Sequence, residues 1–333
     1  MPIDSVGRAG GTEHAPAAVR ERDLPERLGA EDRGDLDVRI HGEQRDPATG
    51  VIGIADTLAT TQAVRAAVRD AVADGRRALV LGGCCALVPG ALAGLRDAVG
   101  AFGVAYVDGH VDVYDGTTSP TGEGADMPMS VAFGRGPDAW VQAAGGASVA
   151  PADVVVLGAR DPEEAADIAD LRAGTLAALE VLGPEELRAQ GLGAAGTRAA
   201  QRLGADGRPF WIHLDLDVLD ERARPATDYL MPEGLEWDEL AALLAPLGAA
   251  PGLTGLSLGC LTPRRTPARP TPSGPARCWP ARWPRRSHTS RRVSSRSRSR
   301  SRRRMISSLI LPTLRRRMIS ARSASSTLRR RRW

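Results

Sequence analysis

Residues 104–112 read Val-Ala-Tyr-Val-Asp-Gly-His-Val-Asp, an apolar run followed by two acids and a histidine. The apolar run 104–107 favours a strand that is buried on both faces. Asp108, His110 and Asp112 follow that strand directly, and side chains two residues apart in an extended segment point to the same side. Two carboxylates and an imidazole therefore converge at the carboxyl end of a buried strand, where the carboxylates repel each other unless a cation compensates them.

A second segment, Phe-Trp-Ile-His-Leu-Asp-Leu-Asp at 210–217, repeats this pattern. Alternation places His213, Asp215 and Asp217 on one side of the strand. Each segment alone is also compatible with a solvated turn that carries acids by chance. Together they favour a metal site, and oxygen ligands with one or two nitrogens suit Mn²⁺ better than a structural zinc site. Because the two segments offer more ligands than one ion needs, we predict two ions.

The chain around these segments alternates short apolar runs with helical periods. We expect Asp56 to cap a helix that stops near Gly75. Strands that alternate with helices indicate right-handed crossovers and a parallel sheet covered on both faces, in one domain spanning residues 1–261. The sequence predicts strands at 78–81, 104–107, 154–157, 210–216 and 253–258, and helical stretches at 58–72, 87–99 and 240–247.

The last part of the chain differs sharply in charge. Residues 262–333 hold 23 of the 44 Arg and Lys residues and none of the 40 Asp and Glu residues. This tail therefore carries a formal charge of +23, and residues 1–261 carry −19. Its Arg, Ser, Pro and Thr residues cannot form a core, so we expect it to be disordered. Two interpretations stay open: a frame-shifted or otherwise non-native end, or a basic arm that binds nucleic acid.

Composition also bears on location. No apolar run approaches the roughly 20 residues that span a bilayer. Residues 1–4 lack the features of a signal peptide. Four cysteines, two of them adjacent at Cys84 and Cys85, do not make a disulfide scaffold. We expect a reduced protein of the cytoplasm that does not contact membranes.

The two acidic segments resemble those of the ureohydrolases, the family of arginase, agmatinase and formiminoglutamase. The resemblance covers most of residues 11–261 and includes segments 82–85, 124–128 and 158–161 in the family's order. It implies a three-layer α/β/α fold that holds two Mn²⁺ ions, whose shared hydroxide attacks the guanidino carbon of a linear amidine, and by analogy a homo-oligomer. Asp112 would also accept a hydrogen bond from that hydroxide. The metal ligands that the resemblance implies are Asp108, His110, Asp112, Asp215 and Asp217.

Several positions depart from the family's pattern. Cys85 stands where arginases carry a histidine ligand; its thiolate would favour Zn²⁺ or Fe²⁺, or the residue packs as a small apolar side chain. Ala125 replaces the catalytic histidine. Asp126 or Glu123 is then a candidate for proton transfer, with a plain loop acid as the alternative. His213 is a further candidate, with orientation of a carboxylate as its alternative role.

The residues expected to bind substrate differ as well. Tyr114, Thr121 and Glu123 stand where arginases bind the substrate's carboxylate, and a glutamate there would repel it. Glu163 would receive an ammonium group of the substrate. The family's distal acid, which pairs with the guanidinium, would fall near Cys260. The sequence therefore predicts a metal-dependent hydrolase of C–N bonds in linear amidines that prefers a substrate without a carboxylate. The alternative is a metal-binding relative that has lost turnover.

Overall fold

The fold is seen in a computed structural model, which describes residues 1–223, 227 and 229–263. The basic tail predicted at 262–333 lies outside the described residues except for Thr262 and Pro263. The boundary that we placed after residue 261 and the expected disorder beyond it therefore stay predictions.

The described residues form a six-stranded, fully parallel sheet in the order β1-β6-β5-β2-β3-β4. Successive parallel strands need a crossover, and helices lie between most of them. The order places β2 and β5 side by side at the centre of the sheet. The strands are β1 (Ala78–Leu81), β2 (Gly103–Val107), β3 (Val154–Leu157), β4 (Glu180–Leu182), β5 (Phe210–Asp215) and β6 (Leu253–Gly259).

The helices cover both faces of the sheet, which gives the three-layer α/β/α architecture that the sequence predicts. Helices α3 to α6 pack on one face, and α9 to α11 pack on the other. In chain order the helices are α1 (Ala15–Arg20), α2 (Leu24–Leu28), α3 (Ile54–Ala73), α4 (Val88–Val99), α5 (Pro128–Ala132), α6 (Asp138–Ala144), α7 (Pro162–Asp167), α8 (Ala169–Ala173), α9 (Pro184–Gln190), α10 (Leu192–Leu203) and α11 (Trp237–Ala249).

Alternate residues of each central strand enter two separate cores. Tyr106 of β2 and Trp211 of β5 lie in the core beneath α3 to α6, whereas Val107 and Ile212 lie in the core beneath α9 to α11. Both faces of the central strands are thus apolar, which explains their unbroken hydrophobic runs. The same alternation leaves His213 on the face of Trp211, where it reaches the carboxyl end of the sheet.

One local expectation was wrong, and one strand was missed. Gly53, not Asp56, is the N-cap of α3; Asp56 lies in the first turn, where its carboxylate accepts a hydrogen bond from the backbone N–H of His41. Strand β4 was not predicted. Gly75 does follow the end of α3 with a φ of 76°, a left-handed conformation that glycine adopts without strain.

Among the described helices, none combines the length and the apolar character needed to cross a membrane.

Candidate metal centre

The two acidic segments meet at one edge of the sheet because β2 and β5 are parallel neighbours. Val107 pairs with Leu214, so the residues that follow them leave the sheet side by side. Asp215 ends β5, and Asp217 lies in the 3₁₀ turn Leu216–Val218 directly after it. Cys85 comes from the 3₁₀ turn Cys85–Leu87 that follows β1. The structure thus brings Cys85 to Asp215, a residue 130 positions away in sequence.

The first donor group consists of Asp108, His110 and Asp217, whose ligand atoms lie within 4.8 Å of one another. Nδ1 of His110 is 2.9 Å from Oδ2 of Asp217 and 3.6 Å from Oδ1 of Asp108. The backbone N–H of Gly109 donates to Oδ1 of Asp217 at 2.9 Å and fixes that carboxylate. Carboxylate oxygens and an imidazole nitrogen are donors that divalent metal ions accept.

The second donor group consists of Cys85, Asp108, His213 and Asp215, all buried, with ligand atoms again within 4.8 Å of one another. Sγ of Cys85 lies 3.3 Å from Nε2 of His213 and 2.7 Å from Oδ2 of Asp215. Asp108 belongs to both groups. The structure therefore brings together five of the six residues proposed as ligands and adds His213, for which we expected a catalytic or an orienting role.

Asp112, the remaining residue proposed as a ligand, belongs to neither group among the described residues. Its φ is 57°, and its Oδ2 accepts a hydrogen bond of 2.5 Å from the hydroxyl of Tyr106. The buried carboxylate of Glu164 accepts from the backbone N–H groups of Val111 and Asp112, both at 2.7 Å. Glu164 thus holds the strained turn. Sequence analysis missed this role, because Glu163 and Glu164 in the first turn of α7 look alike in sequence.

Arg160 is a second positioning residue whose role the sequence did not disclose. Its guanidinium donates to the carbonyl oxygens of Asp217, Leu219, Met231 and Pro232. These bonds tie the loop after β5 to the loop after β3, and they bring a positive charge close to the acids. The motif at 158–161 gave a signal that the residue matters, but the partners of its side chain could be found only in three dimensions.

Burial and mutual repulsion shift the ionisation of the donors. Burial, followed by the charge of Asp217, raises the pKa of Asp108 to about 7. Burial also raises the pKa of Asp112 and Asp215 well above the usual range. Although burial opposes it, the neighbouring His110 ring lowers the pKa of Asp217. The first donor group therefore holds an ion pair, and the other acids tend to keep their protons without a cation.

Burial also favours the uncharged forms of the Cys85 thiol and the His213 imidazole. Contact with Cys260 and then burial raise the pKa of the Cys85 thiol well above its ordinary value. Burial lowers the pKa of His213 to about 3, so its ring is neutral and available as a ligand. A ring that does not gain a proton at neutral pH is poorly suited to deliver one to a leaving group.

The remaining site candidates lie around this edge of the sheet. Asp126, in the 3₁₀ turn Gly124–Asp126, accepts hydrogen bonds of 2.6 Å from the hydroxyls of Ser119 and Thr121. Glu123 accepts from the hydroxyls of Ser5 and Tyr229. Burial and then the charge of Asp126 raise the pKa of Glu123 to about 7. Glu163 is exposed on α7 and is not part of either donor group.

Whether the residues fit a divalent cation can be judged from one atom. Oδ2 of Asp108 is buried and, among the described residues, has no hydrogen-bond partner. An unpartnered buried oxygen costs about 1–3 kcal/mol, and more when it is charged. A cation between the two donor groups would satisfy this oxygen and compensate the gathered carboxylates. The donor sets therefore fit divalent metal ions.

Comparisons with known proteins show what this chain is similar to. The model of the arginase family matches residues 1–273. The arginase of Brevibacillus brevis is 27% identical over 250 residues, which cover 72% of this chain and 80% of that protein. The N(omega)-hydroxy-L-arginine amidinohydrolase of Streptomyces lavendulae is 32% identical over 146 residues, 44% of this chain and 46% of that protein. The crystal structure of arginase from Bacillus caldovelox is 26% identical, has a TM-score of 0.70, and is similar over 79% of this chain and 91% of that one.

Proposed function

The chain belongs to the arginase family, and from that premise we propose that it hydrolyses a C–N bond of a guanidino compound with the help of divalent cations. The observation that carries the proposal is the position of Asp108 at the junction of two donor groups. The relatives named arginase support the reaction class. The choice of Mn²⁺, the presence of two ions, assembly into oligomers and location in the cytoplasm stay predictions.

The reaction explains why such a donor arrangement is needed. A guanidinium carbon is a poor electrophile, and water at neutral pH is a poor nucleophile. When bound, divalent cations supply the missing reactivity by lowering the pKa of water. Asp108, His110, Asp215 and Asp217 would hold the cations, and the negative charge of the three aspartates also favours the approach of a cationic substrate.

We assign two tasks to side chains of this chain: orienting the attacking water and protonating the leaving amine. Asp112 would orient the attacking water, because Tyr106 and Glu164 hold it in one conformation at the edge of the first donor group. Asp126 would protonate the leaving amine. Burial raises the pKa of Asp126 and so favours its protonated form, although hydrogen bonds from Ser119 and Thr121 and then the charge of the His110 ring oppose this rise. Glu123, with a pKa of about 7, is the alternative donor.

The surroundings of His110 favour a substrate without a carboxylate. Glu123 bonds to Tyr229, whose ring meets the His110 ring edge-on at 5.9 Å between centroids. A substrate bound at His110 therefore extends toward Glu123, which repels a carboxylate when it is ionised. We expect kcat/KM to be at least about tenfold higher for agmatine than for arginine, equivalent to about 1.4 kcal/mol. Glu163 would pair with a distal ammonium group.

The test measures urea release from agmatine, arginine and other guanidino compounds by the full chain supplied with Mn²⁺, Zn²⁺ or Co²⁺. Asp108→Asn should lower kcat/KM by more than about 100-fold, since loss of a ligand's outer partner alone costs about 10–100-fold. Asp206→Asn is the matched control: this exposed residue precedes β5 at the opposite end of the sheet, and Asn tolerates its φ of 53°.

The result also decides between the proposal and its rival. Activity in wild type and in Asp206→Asn, lost in Asp108→Asn, is the expected outcome. If no guanidino compound gives urea above the Asp108→Asn background with any of the three metals, the chain is a metal-binding relative without turnover, and the proposal is wrong.

A further inference from the structure

The second donor group differs from the first because it contains a thiol. We propose that Cys85, Asp108, His213 and Asp215 form a zinc site in which a thiolate and a buried imidazole are ligands, next to the oxygen-rich group of Asp108, His110 and Asp217. This inference rests on the proposed function in one respect: both require that divalent ions bind at this edge of the sheet.

The distances at Cys85 support coordination. Its Sγ is 3.3 Å from Nε2 of His213 and 2.7 Å from Oδ2 of Asp215, and it is 2% exposed. Zinc bonds nitrogen or oxygen at about 2.0–2.2 Å and sulfur at about 2.3 Å, so one ion can bridge donors at this spacing after small rotations of the side chains. Binding would displace the thiol proton.

The unpartnered oxygen gives independent support. Oδ2 of Asp108 is 3.8 Å from Nε2 of His213, too far for a hydrogen bond, and no other described group satisfies it. This oxygen faces the same space as the sulfur and the imidazole nitrogen. A metal cation accepts electron pairs and would therefore satisfy all three atoms together.

The histidine is oriented as a ligand would be. Nδ1 of His213 is 2.8 Å from Oγ of Ser257, and the same oxygen accepts a hydrogen bond of 3.0 Å from Nε1 of Trp211. A metal-bound histidine nearly always donates its other ring N–H to an outer partner that fixes the tautomer and the ring. Ser257 is in the right place to be that partner, which leaves the lone pair of Nε2 directed at Cys85 and Asp108.

The chemistry of the donors selects the ion. One sulfur, one nitrogen and two oxygens give four protein ligands, the number that zinc prefers, and thiolate ligands favour Zn²⁺ over Mn²⁺. Cys84 is a natural comparison, because it is also buried but is absent from both donor groups of the described residues. Burial alone thus does not account for the position of Cys85 among ligand atoms.

The experiment uses the full chain, stripped of metal and kept reduced, because the sulfurs of Cys85 and Cys260 lie 3.6 Å apart and would otherwise be open to oxidation. Cobalt is the spectroscopic substitute for zinc. Wild type and Cys84→Ser should show a sulfur-to-cobalt charge-transfer band that added Zn²⁺ abolishes. Cys85→Ser should lose the band and bind zinc at least about tenfold more weakly. A band that survives in Cys85→Ser, or no band in wild type, overturns the proposal.

Two further measurements keep the result interpretable. If Cys85→Ser does not fold, zinc X-ray absorption of the wild type decides alone: a sulfur neighbour at about 2.3 Å supports the site, and a shell of only oxygen and nitrogen refutes it. Urea release is measured on the same samples. If a thiolate ligand is found but no guanidino compound gives urea, this inference stands and the proposed function is wrong. If urea is released but no thiolate ligand is found, the proposed function stands and this inference is wrong.

Discussion

Glu123 is the acid at this edge of the sheet whose ionisation can be studied apart from metal binding. Its two carboxylate oxygens accept hydrogen bonds from Ser5 and Tyr229, and it belongs to neither donor group. Burial raises its pKa from an ordinary value of 4.5 to about 7. The folded state therefore disfavours the charged form of this side chain, whereas the unfolded chain does not.

We predict that Glu123→Gln stabilises the protein at pH 8 but not at pH 4. In wild type, the stability due to the neutral carboxyl is fully present below pH 4.5 and is lost as the pH rises to about 7. Gln does not ionise; its amide oxygen can accept a hydrogen bond from one of the two hydroxyls, and its amide N–H can donate to the oxygen of the other. The gain at pH 8 should approach 3 kcal/mol, because each pKa unit is worth about 1.4 kcal/mol. Urea unfolding at the two pH values measures it; an equal effect at both would contradict the prediction.

At the scale of residues, local periodicity predicted orientation but not contact. Alternation placed His213 on the same side as Asp215, and both lie in the second donor group. Asp217 lies in the 3₁₀ turn after β5, where strand alternation no longer applies. Alternation did not predict that the Cys85 thiol, 128 residues earlier, would lie 3.3 Å from the His213 ring, since that depends on the loop after β1 folding across the ends of β6 and β5. The role of Glu164 was equally hidden, because its carboxylate accepts hydrogen bonds from backbone N–H groups 52 and 53 residues away.

At the scale of elements, helices α3 and α4 pack closely against each other. Gly90 and Gly94 of α4 allow it: a Cβ at Gly94 would lie 2.4 Å from the carbonyl oxygen of Arg65 in α3, and one at Gly90 would lie 2.6 Å from that of Thr61. The contacts are with backbone atoms, which cannot rotate away. This helix pair forms part of the layer that covers the first core.

We therefore predict that Gly94→Ala destabilises the protein by about 1–3 kcal/mol, although Ala is the better helix former. Gly193→Ala in α10 is the matched control: that glycine is exposed, and its added Cβ would meet only the carbonyl oxygen of Ala242 at 3.9 Å. It should stabilise the protein by about 0.5–1 kcal/mol. Chemical unfolding of both variants measures the difference, and a Gly94→Ala protein as stable as wild type would show that the helices can separate without cost.

Five of the six strands were predicted within one residue at each end, because their apolar runs are continuous; β2, β3, β5 and β6 are also buried at every residue. Strand β4, Glu180–Leu182, escaped because it has three residues at the edge of the sheet, all of them partly exposed. A run that short gives no periodicity to read. The cap of α3 was misassigned for another reason: Asp56 bonds to the N–H of His41, a partner that helix-capping rules do not consider.

At the scale of the whole molecule, the fold gathers charge that the chain keeps apart. The central strands β2 and β5 bring acids from two distant segments to one edge, and burial denies them the solvent that would weaken their repulsion. The free energy of folding must therefore include the cost of this cluster. A cation that binds only the folded chain removes part of that cost.

Divalent ions should consequently raise the thermal stability of the whole chain. An ion present at 100 times its Kd adds about 2.7 kcal/mol, which for a domain of this size corresponds to an increase in Tm of roughly 5–10 °C. We expect Zn²⁺ and Mn²⁺ to raise the Tm of the chelator-treated protein, and EDTA to reverse the effect. Thermal unfolding followed by circular dichroism measures the change.

Asp108→Asn separates this electrostatic effect from general packing. The variant should lose most of the rise in Tm, because both donor groups share Asp108. Without added ions it should unfold at no lower temperature than wild type, since Asn has a similar shape and removes a buried acid whose charged form is disfavoured. Asp206→Asn, far from the acids, should respond to ions as wild type does. A rise in Tm of the same size in Asp108→Asn would place the bound ions elsewhere on the molecule. The hypothesis that metal ions compensate the buried carboxylates at this edge of the sheet would then be wrong.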